Sequence, residues 1–206
     1  MALVLRVVRA AMATAIIVAL VDQFFFGRDF PTFRALNFFS YFTVLSNIFA
    51  AVLMMVLAVR PRLLADHRAS VIRGAVTLYM AVTGIVYNLL LAPAAADVST
   101  NLEWVNVVVH MVGPVVVVLD YLVDPPPERP TLAEAATWLI FPAVWLAYTM
   151  LRGPSADWYP YPFLDPDLES TGSIVATCVA IFAAFVVLSA GLRLWAGRPG
   201  LTRATP

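Results

Sequence analysis

The sequence predicts an all-α membrane protein, a bundle of six helices that each cross the bilayer. The 206-residue chain is 62% hydrophobic and 13% charged, and its mean hydropathy is +0.86. Charged residues at that level are too few to cover a soluble domain of this size. The apolar residues are grouped in six runs, each close to the roughly 20 helical residues that span a hydrocarbon core. Short polar or proline-containing segments separate the runs.

The limits of the apolar runs place the six helices at 3–25, 38–59, 71–92, 103–123, 132–151 and 173–196. Arg6 and Arg9 make the first run resemble a signal peptide, but its apolar part is too long and no small-residue cleavage site follows, so we expect it to be retained. Asp124 and three prolines end the fourth helix, because proline has no amide to donate. Thr131 and Glu134 have the spacing of a capping box that begins the fifth helix.

Arginine positions predict the orientation of the bundle. With the N-terminus inside, ten arginines lie in inner segments and three in outer segments, and basic residues resist translocation, so both termini are predicted to be inside. Short connections predict one six-helix domain over 1–197, followed by a disordered tail over 198–206. Pro114 and Pro142 fall within spans, where each frees a carbonyl one turn earlier and permits a kink. We expect a multi-pass protein of the plasma membrane.

Composition excludes several classes of function. The net charge is zero, so no basic surface for nucleic acid is expected. Lysine is absent, which removes a retinal Schiff base and a P-loop lysine. The single cysteine, Cys178, cannot form an intramolecular disulfide or a cysteine metal cluster, and one intramembrane histidine cannot supply two axial ligands to haem. We therefore expect no metal and no organic cofactor, and lipid and bilayer as partners.

The strongest functional signal is His110 in the fourth helix. An ionisable side chain in hydrocarbon is costly, so a membrane protein tends to keep one where it faces the bundle interior and has a partner. Glu103, Asn106 and His110 follow one another at helical spacing and therefore form one polar stripe. The partner of His110 is therefore expected among the polar residues of neighbouring helices that face this stripe.

The second helix carries a polar set at similar spacing, Ser40, Thr43, Ser46 and Asn47. At 1.5 Å per residue from the outer ends of their helices, Thr43 lies about 8 Å deep and His110 about 10 Å deep. The two side chains can meet in one layer if both helices turn these faces inward. The third helix brings Tyr87 and Asn88 to the same layer.

A histidine beside a hydroxyl is the minimum for nucleophilic catalysis, because the base takes the proton as the hydroxyl attacks a carbonyl. The pattern indicates a dyad of Thr43 and His110, with Asn106 as the candidate for orienting the imidazole. Candidate donors to the oxyanion are Ser46, Asn47, Tyr87 and Asn88. Each residue also has a structural interpretation. Threonine commonly bonds the carbonyl one turn back, asparagine can join helices, and a packed histidine can simply be hydrogen-bonded.

The segment 157–165, between the fifth and sixth helices, holds four aromatic residues and two prolines between acidic residues. Tryptophan and tyrosine often form a belt at the membrane interface. The functional interpretation is a stiff lid over a cavity, with Trp158, Tyr161 and Phe163 at its mouth.

Three short blocks resemble a known family: Trp104 to His110 followed by Pro114, Phe42-Thr43, and Tyr161-Pro162-Phe163-Leu164. They are similar to the androgen-induced-gene and ADTRP-like membrane proteins, and residues 37–43 (NFFSYFT) are similar to a bacterial group of six-span proteins. The resemblance implies an intramembrane threonine hydrolase, with Thr43 as nucleophile and His110 as its histidine. Eukaryotic members cleave fatty acid esters of hydroxy fatty acids. The chain departs from the family pattern in the spacing of Pro114 and of Trp158.

Together these patterns predict a hydrolase of fatty acyl esters that works through an acyl-threonine intermediate. The alternative is a transporter or lipid-binding sensor in which His110 relays protons or holds a head group. The short chain, the absence of repeats and the expected absence of paired charges across the spans argue against a transporter.

Overall fold

The computed structural model describes residues 1–92 and 102–201, and that part of the chain contains helices and no strand. Six helices are long and apolar enough to cross a membrane: α1 (Ala2–Gly27), α2 (Phe42–Val59), α3 (His67–Leu91), α4 (Glu103–Val123), α5 (Leu132–Ala156) and α6 (Thr171–Trp195). The predicted fold class, an all-α multi-pass membrane protein, is confirmed. The orientation and the identity of the membrane stay predictions.

The largest differences from the predicted limits are four or five residues: α2 begins at Phe42 instead of 38, α3 begins at His67 instead of 71, and α5 ends at Ala156 instead of 151. The second helix begins after its predicted start because Tyr41, directly before it, has an extended backbone (φ −69°, ψ 130°), and a separate four-residue helix, Ala35–Phe38, precedes that residue. Helix α5 continues five residues beyond its predicted end and stops at Asp157, whose backbone is left-handed with φ 48°. Thr43 therefore lies in the first turn of α2 rather than inside a longer helix.

The capping box predicted at the start of α5 is confirmed. The Thr131 hydroxyl accepts from the Glu134 amide at 3.2 Å, and the Thr131 amide donates to Glu134 Oε2 at 2.7 Å. Each partner satisfies one of the amides that a helix leaves free at its N-terminus.

The residues after α6 turn back onto the connection that follows α4. The Leu201 amide donates to the Val123 carbonyl at 3.1 Å and the Gly197 amide donates to the Pro126 carbonyl at 2.9 Å. The prediction of a disordered tail over 198–206 is therefore wrong for 198–201, and 202–206 lie outside the described residues.

Pro114 and Pro142, the two prolines predicted to lie within spans, each follow an irregular turn. Pro114 cannot donate to the carbonyl of His110, and α4 widens into a π turn over Val108–Val112 in which the Gly113 amide bonds the Val108 carbonyl. In α5, the helix is interrupted at Trp138 and Leu139, one turn before Pro142. Helix α3 also ends in a π turn, Tyr87–Leu91. His110 thus lies in the middle of a widened turn.

A buried ion network joins α1, α3 and α4 at the end of the bundle that holds the N-terminus. Arg9 donates through Nε to Asp120 at 2.7 Å and through Nη2 to Asp124 at 2.9 Å. Arg73 Nη2 lies 3.3 Å from Asp120 Oδ2 and donates to the Asp124 carbonyl at 2.8 Å. The expectation that the spans hold no paired charges is wrong. Buried arginine requires such partners, and here Asp120 of α4 and Asp124, directly after its end, supply them.

Candidate active site

Thr43 and His110 meet inside the bundle. Thr43 Oγ1 lies 3.3 Å from His110 Nε2, and the two residues come from α2 and α4, which are not consecutive along the chain. Thr43 is 8% exposed. The separation suits proton transfer from hydroxyl to imidazole, since nucleophile and base often stand slightly apart until substrate is bound. The two residues selected from the sequence therefore form one contact.

Asn106 orients the imidazole and selects its tautomer. Its Oδ1 lies 2.7 Å from His110 Nδ1, while its Nδ2 donates to the Tyr87 hydroxyl. Because the amide oxygen only accepts, Nδ1 of His110 must carry the proton. Nε2 is then the free acceptor facing Thr43 Oγ1, which is the form that a general base requires. Asn106 precedes His110 by four residues, one helical turn, as the polar stripe predicted.

Tyr87 packs against the ring of His110. Its ring stacks on the His110 ring with centroids 4.0 Å apart and an angle of 16° between the planes. Tyr87 is the first residue of the π turn of α3, so the irregular turns of α3 and α4 lie side by side at the site. Gly84, one turn earlier, allows this approach, since a Cβ there would lie 2.9 Å from Pro114. Among the predicted donors, Tyr87 therefore positions the imidazole.

Tyr161, from the connection between α5 and α6, reaches the nucleophile directly. Its hydroxyl lies 3.2 Å from Thr43 Oγ1 and accepts from the Thr43 amide at 3.2 Å. Tyr161 is 8% exposed. The sequence placed it at the mouth of a cavity, and the structure places its hydroxyl beside Thr43. Residues in a loop carry no helical spacing that would have indicated this depth.

The other predicted donors are differently placed. Asn47 uses Nδ2 to donate to the Thr43 carbonyl at 2.9 Å and to the Val109 carbonyl at 3.1 Å, so it joins α2 to α4. Asn88 is exposed and donates to Gly84 in its own helix. Ser46 is fully buried, and its hydroxyl has no hydrogen-bond partner among the described residues. A role as oxyanion donor is therefore wrong for Asn88, and Asn47 has committed its amide protons elsewhere.

An apolar cleft opens beside Thr43, between α3, α5 and α6. It holds about 720 Å³ of empty space, its open mouth included, and its polar lining includes Thr43, Thr83, Tyr87 and Tyr161. The apolar lining includes Val82, Val86, Leu91, Leu146, Ile181 and Phe185. The polar side chains and the long apolar wall can hold a ligand that has one polar group and one hydrocarbon chain.

Thr83 is a further polar residue of this cleft that the sequence analysis did not select. It is 4% exposed, and its hydroxyl has no hydrogen-bond partner among the described residues. Its position four residues before Tyr87 is the signal that could have found it, because residues one turn apart share a face of a helix.

The aromatic segment forms part of the wall of the cleft. Tyr161, Phe163 and Leu164 line the cleft, and the Tyr161 and Phe163 rings stack with centroids 5.3 Å apart. Trp158 is absent from that wall. Its ring packs edge-on against Tyr41 at 5.5 Å and beneath the Arg152 guanidinium at 5.5 Å. The prediction is wrong for Trp158, which braces the segment from outside.

No family model, curated protein or solved structure matches this chain. The resemblance drawn from the three short blocks therefore stays a prediction. Within residues 1–92 and 102–201 there is no group of three or more histidine, cysteine, aspartate or glutamate side chains that could hold a metal ion.

Proposed function

We propose that this protein is an intramembrane hydrolase of fatty acyl esters, with Thr43 as nucleophile and His110 as general base. One observation carries the proposal: the Thr43 hydroxyl lies 3.3 Å from an imidazole nitrogen that is free to accept its proton, and it does so on the wall of an apolar cleft. A base positioned in this way contributes about 10²–10⁴ in rate.

The reaction follows from these positions. Thr43 Oγ1 attacks the ester carbonyl as its proton moves to His110 Nε2, and the carbonyl electron pair moves onto oxygen. The tetrahedral intermediate collapses, the bond to the alcohol breaks, and His110 returns its proton to the departing alkoxide. Water then attacks the acyl-threonine while His110 again takes a proton. The ester bond to Thr43 then breaks, the fatty acid leaves, and His110 returns its proton to Oγ1, which restores the Thr43 hydroxyl.

The cleft supports a lipid as substrate. Its wall suits a hydrocarbon chain, and Thr43 would meet an ester group at the chain's polar end. A fatty acid ester of a hydroxy fatty acid belongs to this class, since one ester group in it joins two apolar chains. The bilayer supplies such molecules directly to a site that opens between helices, and the plasma membrane is the proposed location.

The alternative function, a transporter or sensor, would be supported if the ion network of Arg9, Arg73, Asp120 and Asp124 served ion transport. In that network two positive and two negative charges neutralise one another. Asp120 also follows His110 by ten residues, about 15 Å along a helix. The network therefore needs no transported ion, and it lies apart from the imidazole.

The test is hydrolysis of long-chain acyl esters by the purified protein, together with labelling by a covalent probe directed at nucleophilic hydroxyls. Thr43→Ala and His110→Ala should each lower turnover by at least about 10² and abolish labelling. Thr14→Ala is the matched control, because the Thr14 hydroxyl is exposed and donates to Ala10 of its own helix at 2.9 Å. Full turnover in a folded Thr43→Ala protein would overturn the proposal, and pH-dependent uptake that survives this change would favour the transporter.

A further inference from the structure

The hydroxyl of Tyr161 occupies a position where an oxyanion donor would be needed. It lies 3.2 Å from Thr43 Oγ1, the atom that would bond to the substrate carbonyl carbon. In a tetrahedral intermediate the negative oxygen is attached to that same carbon. A group within hydrogen-bond reach of Oγ1 is therefore close to the oxygen on which charge develops.

The proton of Tyr161 points towards Thr43 in the resting protein. His110 Nε2 accepts, so the Thr43 hydroxyl donates to it. The Thr43 amide donates to the Tyr161 oxygen, which leaves the phenol proton for Thr43 Oγ1. The three contacts thus form one consistent chain of donors and acceptors, in which Tyr161 is a donor towards the reacting oxygen.

The start of α2 adds a second donor at the same place. The hydrogen bond that opens α2 runs from the Leu45 amide to the Tyr41 carbonyl. The amides of the first turn therefore have no acceptor within the helix, and the Thr43 amide is directed at Tyr161 instead. A phenol and a backbone amide that converge beside a nucleophile have the composition of an oxyanion hole.

We infer that Tyr161 is a catalytic residue that, together with the Thr43 amide, stabilises the oxyanion of the ester substrate; the inference rests on the proposed hydrolase function. As Thr43 Oγ1 bonds to the carbonyl carbon and its proton passes to His110, the phenol proton turns from Oγ1 to the carbonyl oxygen. When the alcohol leaves, the electron pair returns to the carbonyl and Tyr161 resumes its bond to Thr43. The phenol is never deprotonated in this sequence.

The surroundings of Tyr161 suit a neutral donor. Burial raises the pKa of the Tyr161 phenol to about 12, so it remains protonated throughout the range in which the histidine can act as a base. The other predicted donors are less suited: Asn47 bonds two backbone carbonyls and Asn88 lies at the surface. Ser46 is fully buried and is not among the residues that line the cleft. The aromatic segment between α5 and α6 thereby contributes to the chemistry, beyond closing the cleft.

The test is Tyr161→Phe in the full-length protein, which keeps the ring and its stacking on Phe163 and removes the hydroxyl. Loss of one oxyanion donor should lower kcat for a long-chain ester by about 10²–10³ with little change in KM. Tyr41→Phe is the matched control. The Tyr41 ring packs against Tyr161 with centroids 5.7 Å apart, its hydroxyl makes no hydrogen bond among the described residues, and its removal should leave kcat unchanged.

A second measurement separates a catalytic role from a structural one. A long-chain trifluoromethyl ketone forms a hemiketal oxyanion on a nucleophilic threonine, whereas the matching methyl ketone binds without reacting. Tyr161→Phe should weaken the fluorinated inhibitor by about the same factor as kcat and leave the methyl ketone unaffected. Equal weakening of both ketones, or an unchanged kcat, would overturn the role of Tyr161.

The outcomes also distinguish this inference from the proposed function. If the wild-type protein neither hydrolyses esters nor reacts with the hydroxyl probe, the hydrolase proposal fails. If the wild type is active, Thr43→Ala is inactive and Tyr161→Phe is fully active, the hydrolase proposal stands and only the inference about Tyr161 is wrong.

Discussion

Replacing Asn106 by leucine tests the tautomer argument, because leucine has a similar volume and no polar atoms. In the wild type, Asn106 Oδ1 accepts the Nδ1 proton of His110 at 2.7 Å. Without that acceptor, the proton at Nδ1 would be buried and unpaired. Moving it to Nε2 would let it bond Thr43 Oγ1, but an imidazole protonated at Nε2 cannot take the nucleophile's proton.

The size of the effect follows from the cost of the unpaired N–H group. A buried donor without a partner costs about 1–3 kcal/mol, and each 1.4 kcal/mol is a factor of ten in an equilibrium. The active tautomer should therefore become about 5- to 150-fold less populated, and kcat should fall by that factor. KM should change little, since Asn106 is not among the residues that line the cleft.

The assay is steady-state hydrolysis of a long-chain acyl ester in detergent micelles, with the rate of Thr43 labelling as a second readout. Asn106→Asp should recover most of the lost rate, because a carboxylate can also accept from Nδ1. Asn88→Leu is the matched control, since Asn88 is exposed and bonds only Gly84 of its own helix among the described residues. A folded Asn106→Leu protein with wild-type kcat would refute the reasoning.

Two further predictions concern buried polar groups. Thr83→Val should raise KM for the ester about fivefold, which corresponds to the loss of one hydrogen bond of about 1 kcal/mol. The unfolding temperature should not fall, because the Thr83 hydroxyl has no partner within the described part of the chain. An unchanged KM would contradict this prediction. Asp120→Asn should destabilise the protein by about 3–5 kcal/mol, since Arg9 loses a buried charged partner. Thermal unfolding in detergent measures this, with exposed Asp22→Asn as control, and equal midpoints for the two variants would contradict it.

Much of the fold followed from local properties of the sequence. The six helices are apolar runs of spanning length, and the start of α5 follows from the spacing of Thr131 and Glu134. The wrong limit at the start of α2 has a local cause as well. Residues 38–41 are mostly apolar, like the spanning helix that follows them. Hydropathy therefore gives no sign that Tyr41 adopts an extended backbone.

The pairing of Thr43 with His110 was predictable for a related reason. Depth in a membrane helix is proportional to residue number, so two residues at similar distances from the same surface share a layer before any contact is known. The same argument correctly brought Tyr87 to the layer. It failed for Asn88, because depth does not determine which way a side chain faces.

The sequence by itself therefore determined the class of fold, the spans and the layer in which polar side chains meet, since hydropathy and helical rise are properties of one segment at a time. Only the tertiary structure decided that Tyr87 stacks on the His110 ring, that Tyr161 reaches Thr43 from a loop, and that Arg9 lies between two aspartates. These contacts join segments far apart in the chain. They depend on how whole helices rotate and pack, which no local pattern encodes.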